Sequence, residues 1–195
     1  MTLNIAFFDF DGTITRRDSF ALFLRHILGR KFYVKLAQNL HILLLYKLGF
    51  ISNSRAKESV LRSCLRGMSE GELQAHCAEF LPVLDGICKD SALARIMWHK
   101  EQGDRVVLVS ASFEEYLGVW ARKIGIEVIA TKMEVQGGKL TGRLATPNCY
   151  GAQKVARIRA QIDLAQFDEI YAYGDTRGDK EMLEMAHHAF YRAFE

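Results

Sequence analysis

Asp9 and Asp11 stand two residues apart at the end of an apolar run, Ile5-Ala6-Phe7-Phe8, and are followed by Gly12 and Thr13. In an extended strand, residues i and i+2 share a face. The two carboxylates then lie within a few ångströms of each other and repel unless a cation or a shared proton relieves them. That pattern points to a divalent metal. Three later stretches also bring reactive side chains to the ends of elements: Val106-Val107-Leu108-Val109-Ser110-Ala111-Ser112, Lys154 within Gly151-Ala152-Gln153-Lys154, and Gly174-Asp175-Thr176-Arg177-Gly178-Asp179. Ser110 follows an apolar strand, so its hydroxyl and the amides of Ala111 or Ser112 can receive anion oxygens at the start of the next helix. Taken singly, Gly12 and Thr13 read as turn residues, and Lys154 as an exposed lysine in the first turn of a helix.

The elements that must position these groups alternate. Apolar residues on both faces make Ile5–Phe8 a central strand of a parallel sheet, and open α/β sheets place their ligands beyond the carboxyl ends of such strands. The pattern then becomes helical. Asp18-Ser19 caps a helix that begins at Phe20 and that Gly29 can stop, and further helices are expected over 31–48 and 54–66. Ser69-Glu70-Gly71-Glu72 is a capping box opening a fourth helix, which ends near Asp85-Gly86. From Asp90, helix, strand, helix and strand are expected over 91–102, 105–109, 114–124 and 127–131, the order of βαβ units. Gly137-Gly138 marks a hairpin within 133–142. A helix over 154–164, a strand over 169–173, a helix from Asp179 and a strand near 189–194 follow. The fold class read from this order is α/β: a parallel-sheet core of residues 1–15 and 87–195 with a four-helix insert over 16–86.

The four motifs, correctly ordered and spread over most of the chain, resemble those of the haloacid dehalogenase superfamily of phosphatases. The helical insertion directly after the first strand resembles the cap of its phosphoserine-phosphatase-like branch. The resemblance implies a Rossmann-like core under a closing cap and Mg²⁺-dependent hydrolysis of a phosphate ester. It implies Asp9 as a nucleophile that forms an aspartyl-phosphate, and Asp11 as the group that protonates the leaving oxygen and then activates water. Mg²⁺ suits hard oxygen ligands and keeps several waters beside a phosphate; by resemblance it would be held by the Asp9 carboxylate, the Asp11 backbone carbonyl and Asp175. Asp179 would orient a metal-bound water, and Ser110, Ala111 and Lys154 would bind phosphate. Asp18, seven residues after Asp11, occupies the place where related phosphoserine phosphatases carry a substrate-reading glutamate. Residues 59–67 hold no clear counterpart to the arginine with which those enzymes grip the substrate carboxylate. The basic, apolar insert is more similar to bacterial phosphatidylglycerophosphatase-like members than to amino-acid phosphatases.

Composition narrows the remaining classes. A chain of 195 residues that is 49% hydrophobic can bury a sizeable core. Cys64, Cys77, Cys88 and Cys149 lack a CxxC or a companion histidine, so reduced thiols are expected, and neither a disulfide framework nor structural zinc. The six histidines form no HxxxH or HxH set, and His187-His188 is expected on a surface turn. The apolar start is short, lacks a basic lead and carries two aspartates, which argues against a signal peptide; the mature chain is expected to begin near Met1 and to be cytoplasmic. Residues 16–66 hold eleven Lys and Arg against only Asp18 and Glu58, a local charge of +9 in a chain whose net charge is +3. Such asymmetry suggests an anionic partner: a phosphate-ester substrate and, peripherally, an anionic membrane. Nucleic acid is not expected, because no aromatic-basic motif of a known binding module occurs. The run Leu40–Ile51 is too short to span a bilayer and contains His41 and Lys47. It reads either as a buried bundle helix or as a membrane-facing surface. Three functions remain: a phosphatase for a lipid phosphate such as phosphatidylglycerophosphate, a soluble small-molecule phosphatase with a phosphoserine-like substrate, and a non-catalytic module for anionic surfaces.

Overall fold

The computed structural model describes residues 3–194; the expected start at Met1 and the terminal Glu195 lie outside the described residues. The strands are β1 (Asn4–Phe8), β2 (Arg105–Phe113), β3 (Glu127–Thr131), β4 (Met133–Gln136), β5 (Lys139–Leu144), β6 (Glu169–Gly174) and β7 (His188–Tyr191). Five of them form one sheet in the order β3-β2-β1-β6-β7, and every pairing in it is parallel. β1 is central, with Ala6 between Val106 and Tyr171. Its apolar run has no polar face because each face meets a different core. Ile5 and Phe7 pack with Val107, Val109, Ile129, Ile158 and Met182. Ala6 and Phe8 join Leu108, Trp120 and Tyr173 on the other side, where Phe8 stacks on Tyr173 with ring centroids 4.3 Å apart. At about 1.5–3 kcal/mol for each large side chain withdrawn from water, this two-sided burial fixes the strand that carries Asp9.

Five helices fall between β1 and the rest of the core: α1 (Ser19–Leu28), α2 (Lys31–Gln38), α3 (Leu40–Lys47), α4 (Asn53–Cys64) and α5 (Glu70–Ile87). The single helix expected over 31–48 is two, so the four-helix count is corrected to five. The break is at Asn39, a buried residue whose amide donates to the Lys35 carbonyl (2.8 Å) and to Ser63 Oγ (3.0 Å). A side chain that hydrogen-bonds the preceding turn competes with the helical ladder there. The expected caps form: Asp18 accepts from Ala21 N–H at 2.7 Å, and Ser69 and Glu72 make the reciprocal box. The insert leaves and rejoins the core at one place, where Arg16 N–H donates to Ile87 O (2.9 Å) and Lys89 N–H to Ile14 O (2.8 Å). Phe23, Leu61 and Phe80 of the insert share the Phe8 core.

The run over 40–51 is not a buried bundle helix. α3 has no buried residue, and Leu40 (62%), Leu48 (60%) and Phe50 (74%) are largely exposed. No helix among the described residues is long and apolar enough to cross a membrane.

The remaining helices are α6 (Asp90–Glu101), α7 (Glu114–Ile124), α8 (Ala152–Gln161) and α9 (Lys180–Met185). The β4–β5 hairpin forms as the glycine pair indicates and leans on the insert, with Leu140 N–H donating to Met68 O (2.9 Å) and Gly67 N–H to Leu140 O (2.8 Å). β2 runs on to Phe113, past the expected end at Val109. β7 begins at His188, which therefore lies in a strand and not on a turn; His187 and His188 both pair with Glu169. The four cysteines are free thiols.

Candidate active site

The strand ends bring the expected carboxylates together. Asp9 follows β1 and is 7% exposed, its N–H donating to the Tyr173 carbonyl at 2.9 Å. Asp175 and Asp179 follow β6, and carboxylate oxygens of Asp9, Asp175 and Asp179 lie within 4.8 Å of one another. Lys154, on the first turn of α8, is 1% exposed and not the solvated lysine it would be alone. Its Nζ donates to Asp9 Oδ1 (2.5 Å), Asp179 Oδ1 (2.6 Å) and the Val109 carbonyl (2.8 Å). Asp179 Oδ2 accepts from Thr176 N–H (3.0 Å) and from Asp175 N–H (3.2 Å), tying the loop into a fixed turn. Asp175 Oδ1 accepts from Thr13 Oγ1 at 3.1 Å.

Gly12 explains how Asp175 comes so close. It adopts φ +90°, which disfavours any side chain, and a Cβ there would lie 2.2 Å from Asp175 Oδ2. Thr13 and Gly12 thus do turn work that also seats a carboxylate.

Asp11 points elsewhere. Its Oδ1 accepts from Ser19 N–H at 2.6 Å and its Oδ2 from the Ser112 hydroxyl. The Ser19 hydroxyl in turn meets Tyr116 Oη at 2.9 Å and Ser112 Oγ at 3.3 Å. Ser110 is buried within β2, four residues before α7 begins, so it does not sit at a helix start as expected. Its Oγ accepts from Ser112 N–H at 3.0 Å. The departure arises where the β2–β3 register shifts between Ser110 and Phe113. Ala111 faces the site beside it, with its carbonyl turned to Lys57 Nζ (2.6 Å). Asp18 caps α1 and lines a cavity together with Asp9 and Asp11.

Electrostatics separate the acids. Burial pushes the Asp9 carboxyl up to about 7 although Lys154 opposes it. Burial, reinforced by Asp18, pushes Asp11 up to about 6. Asp179 is also penalised by burial, but Lys154 and the Thr176 donors outweigh that and hold it below the usual carboxylate range. Burial opposes the charge of Lys154, yet Asp9 and Asp179 together hold it protonated beyond the ordinary lysine range. The result is one cation among Asp9, Asp175 and Asp179, with a fourth acid, Asp11, turned towards Ser19 of the insert. The donor set fits a hard divalent cation: these oxygens converge, their mutual repulsion is only partly relieved by Lys154, and no donor among the described residues reaches Asp9 Oδ2.

Asp9, Asp11, Lys154 and Asp179 line a cavity of about 240 Å³ with Ser110, Ala111 and Ser112 of the core and Asp18, Phe20, Asn53 and Lys57 of the insert. The profile of haloacid dehalogenase-like hydrolases matches residues 6–184. The chain belongs to that family. A probable phosphatase of Mycobacterium tuberculosis is 33% identical over 193 residues, covering 94% of this chain and 67% of that protein. A Bordetella pertussis protein of unknown function superposes with a TM-score of 0.85 at 27% identity, covering 95% of this chain and 88% of that one. A substrate-bound phosphoserine phosphatase shares the fold with a TM-score of 0.63 at 20% identity, covering 95% of this chain and 84% of that one.

Within this member of the haloacid dehalogenase-like hydrolases, several residues facing the site escaped the motif reading. Lys57 on α4 reaches across to the Ala111 carbonyl and to Asn148 Oδ1 (3.0 Å), and burial lowers it to about 8 against the pull of Asp11 and Asp18. Asn148 Nδ2 donates to Asn53 Oδ1 at 2.8 Å, a second tie between core and insert. Nothing in sequence marked Lys57 among eleven neighbouring cations, or paired Ser19 with Ser112 and Tyr116.

Proposed function

We propose that this haloacid dehalogenase-like phosphatase is a Mg²⁺-dependent phosphomonoesterase that works through an aspartyl-phosphate on Asp9, under a cap formed by residues 16–86. The convergence of buried Asp9, Lys154 and Asp179 with half-buried Asp175, and with Asp11 held apart by Ser19 and Ser112, carries the reading. Asp9, Asp175 and the Asp11 backbone carbonyl would hold the cation, with Asp179 behind them. Bound there, Mg²⁺ would supply positive charge against the phosphoryl oxygens and lower the cost of ionising Asp9. The Asp9 carboxylate attacks phosphorus, and the phosphorus–ester oxygen bond breaks with its electron pair on the leaving oxygen. Asp11, raised to about 6 and so part-protonated near neutrality, gives that oxygen its proton. The now anionic Asp11 takes a proton from water as water attacks phosphorus, releasing phosphate and restoring both carboxyl groups. Ser110, the Ala111 amide and Lys154 hold the phosphoryl oxygens.

The substrate class proposed is an amphiphilic phosphate ester, with phosphatidylglycerophosphate as an example. A second cavity of about 400 Å³ opens between α1, α2, α3 and α4, lined by Phe20, Leu24, Phe32, Leu36, Leu43 and Val60. Asp18 and Phe20 line it and the catalytic cavity alike, so a phosphate seated at Asp9 has an apolar chamber beside it. The exposed apolar residues of α3 and the cations Arg30, Lys31 and Lys35 offer the surface on which such a substrate is presented. One observation favours the soluble alternative: the half-buried Lys57, which lines the catalytic cavity, would pair with a second anionic group of a phosphoserine-like ester. Turnover of phosphatidylglycerophosphate in mixed micelles against phosphoserine separates the two. The amphiphile reading expects kcat/KM higher for the lipid, and a preference for phosphoserine would overturn it.

A further inference from the structure

The buried core histidine and the insert's histidine pair are treated differently by their surroundings. His99 has both ring nitrogens partnered, Nδ1 with Asp104 Oδ2 (2.7 Å) and Nε2 with Tyr173 Oη (3.0 Å). His26 Nε2 and His76 Nδ1 are shut off from solvent, and neither has a hydrogen-bond partner among the described residues. They face each other across two helices: His26 lies near the end of α1, and His76 with Glu79 occupies one turn of α5. The imidazole rings are perpendicular with centroids 5.8 Å apart, and His26 also rests on Phe80 at 5.6 Å. Glu79 Oε2 stands 3.7 Å from His26 Nε2 and 3.6 Å from His76 Nδ1, and the three atoms lie within 4.8 Å of one another.

Those separations are too long for hydrogen bonds, whose N···O distances lie at about 2.7–3.2 Å. They suit atoms that share an ion. Ligands about 2.0–2.1 Å from Zn²⁺ at tetrahedral angles stand about 3.4 Å apart. Two imidazole nitrogens and one carboxylate oxygen are also a donor set that favours zinc over magnesium, which takes oxygen ligands. A shared cation would satisfy both orphaned lone pairs and the carboxylate at once.

We propose that His26, His76 and Glu79 form a Zn²⁺ site in the helical insert, with the remaining position left to water on the exposed Glu79 side. The ion would staple α1 to α5, the two helices through which the insert joins the core. The first residue of α1, Ser19, holds Asp11 through its amide, and the last of α5, Ile87, accepts from Arg16 N–H. The staple therefore fixes the insert without touching the reacting atoms. Sequence spacing gave no hint of it, because the ligands come from helices fifty residues apart in the chain.

The test uses the full chain, stripped by chelator and then held in excess Mg²⁺. Zn²⁺ affinity is measured against a chromophoric competitor, and Co²⁺ uptake by its visible d–d absorption. Wild type is expected to bind one equivalent of each and to melt at higher temperature with Zn²⁺. The His26→Gln/His76→Gln protein is expected to lose the Co²⁺ band and at least about tenfold in Zn²⁺ affinity. Glu79→Gln, which leaves both rings in place, is expected to weaken binding as well, with hydrolysis of a soluble ester retained in both variants. Equal Zn²⁺ affinity in wild type and variants, or no Co²⁺ band in wild type, would overturn the assignment and leave an ordinary charged cluster.

Discussion

At the scale of single residues, burial raises the carboxyl groups of Asp9 and Asp11, and this has a sign that can be tested. Asp9 and Asp11 are raised to about 7 and about 6 from an ordinary value of 3.8, so the folded protein binds protons that the unfolded chain releases. Their contribution to stability is present below about pH 4 and is lost as pH rises through 6 to 7. Metal-free protein is therefore expected to melt at progressively lower temperature over that range, and Asp11→Asn to flatten part of the decline. A melting temperature independent of pH in chelator would contradict the burial of these acids. Gly12 is the second residue whose role follows from geometry. In Gly12→Ala the methyl group would meet Asp175 Oδ2 in a backbone conformation that costs about 1–3 kcal/mol for a residue with a side chain. The variant is expected to lose stability of that order in denaturant titration and to bind Mg²⁺ more weakly; wild-type behaviour in both would show that the turn relaxes freely.

At the scale of elements, the strands were legible and the insert only partly so. Asp9, Asp175 and Asp179 sit where an apolar strand ends, Lys154 opens a helix within a short motif, and each of these signals is local in sequence. Hence Asp9, Lys154, Asp175 and Asp179 could be named before their convergence was seen. The capping box at Ser69 and the hairpin at Gly137-Gly138 were legible for the same reason. The break at Asn39 was not, since helical periodicity runs through it and the decisive contact is with Ser63 on another helix. Nor could periodicity say whether Leu40–Phe50 meets protein or solvent. The exposure of that stretch leads to a prediction about α2 and α3. Wild-type protein is expected to sediment with anionic liposomes at moderate salt. Neutralising Arg30, Lys31 and Lys35 is expected to weaken this on the order of a hundredfold, at about 1 kcal/mol per cation. Unchanged sedimentation of the triple variant, or none by wild type, would remove the membrane from the account.

At the scale of the whole molecule, a sheet that fixes the acids is joined to an insert that supplies the opposite wall of the cavity. Lys57, Asn53 and Asp18 reach the core from the insert, and the proposed reading gives the chemistry to the core and the selection to the insert. Activity is expected to vanish in chelator, to return with Mg²⁺ and to be greatly weakened in Asp175→Ala; full turnover in excess chelator would exclude the proposed cation. The central claim is that Asp9 itself carries the phosphoryl group. Acid quenching of wild-type enzyme during turnover, followed by peptide mass spectrometry, tests it most directly. A hydroxylamine-sensitive phosphoryl group is expected on the peptide containing Asp9, absent from Asp9→Asn, whose turnover falls below detection while its fold is kept. A label on any other residue, or an Asp9→Asn protein within about tenfold of wild-type rate, a difference of about 1.4 kcal/mol in the barrier, would contradict it.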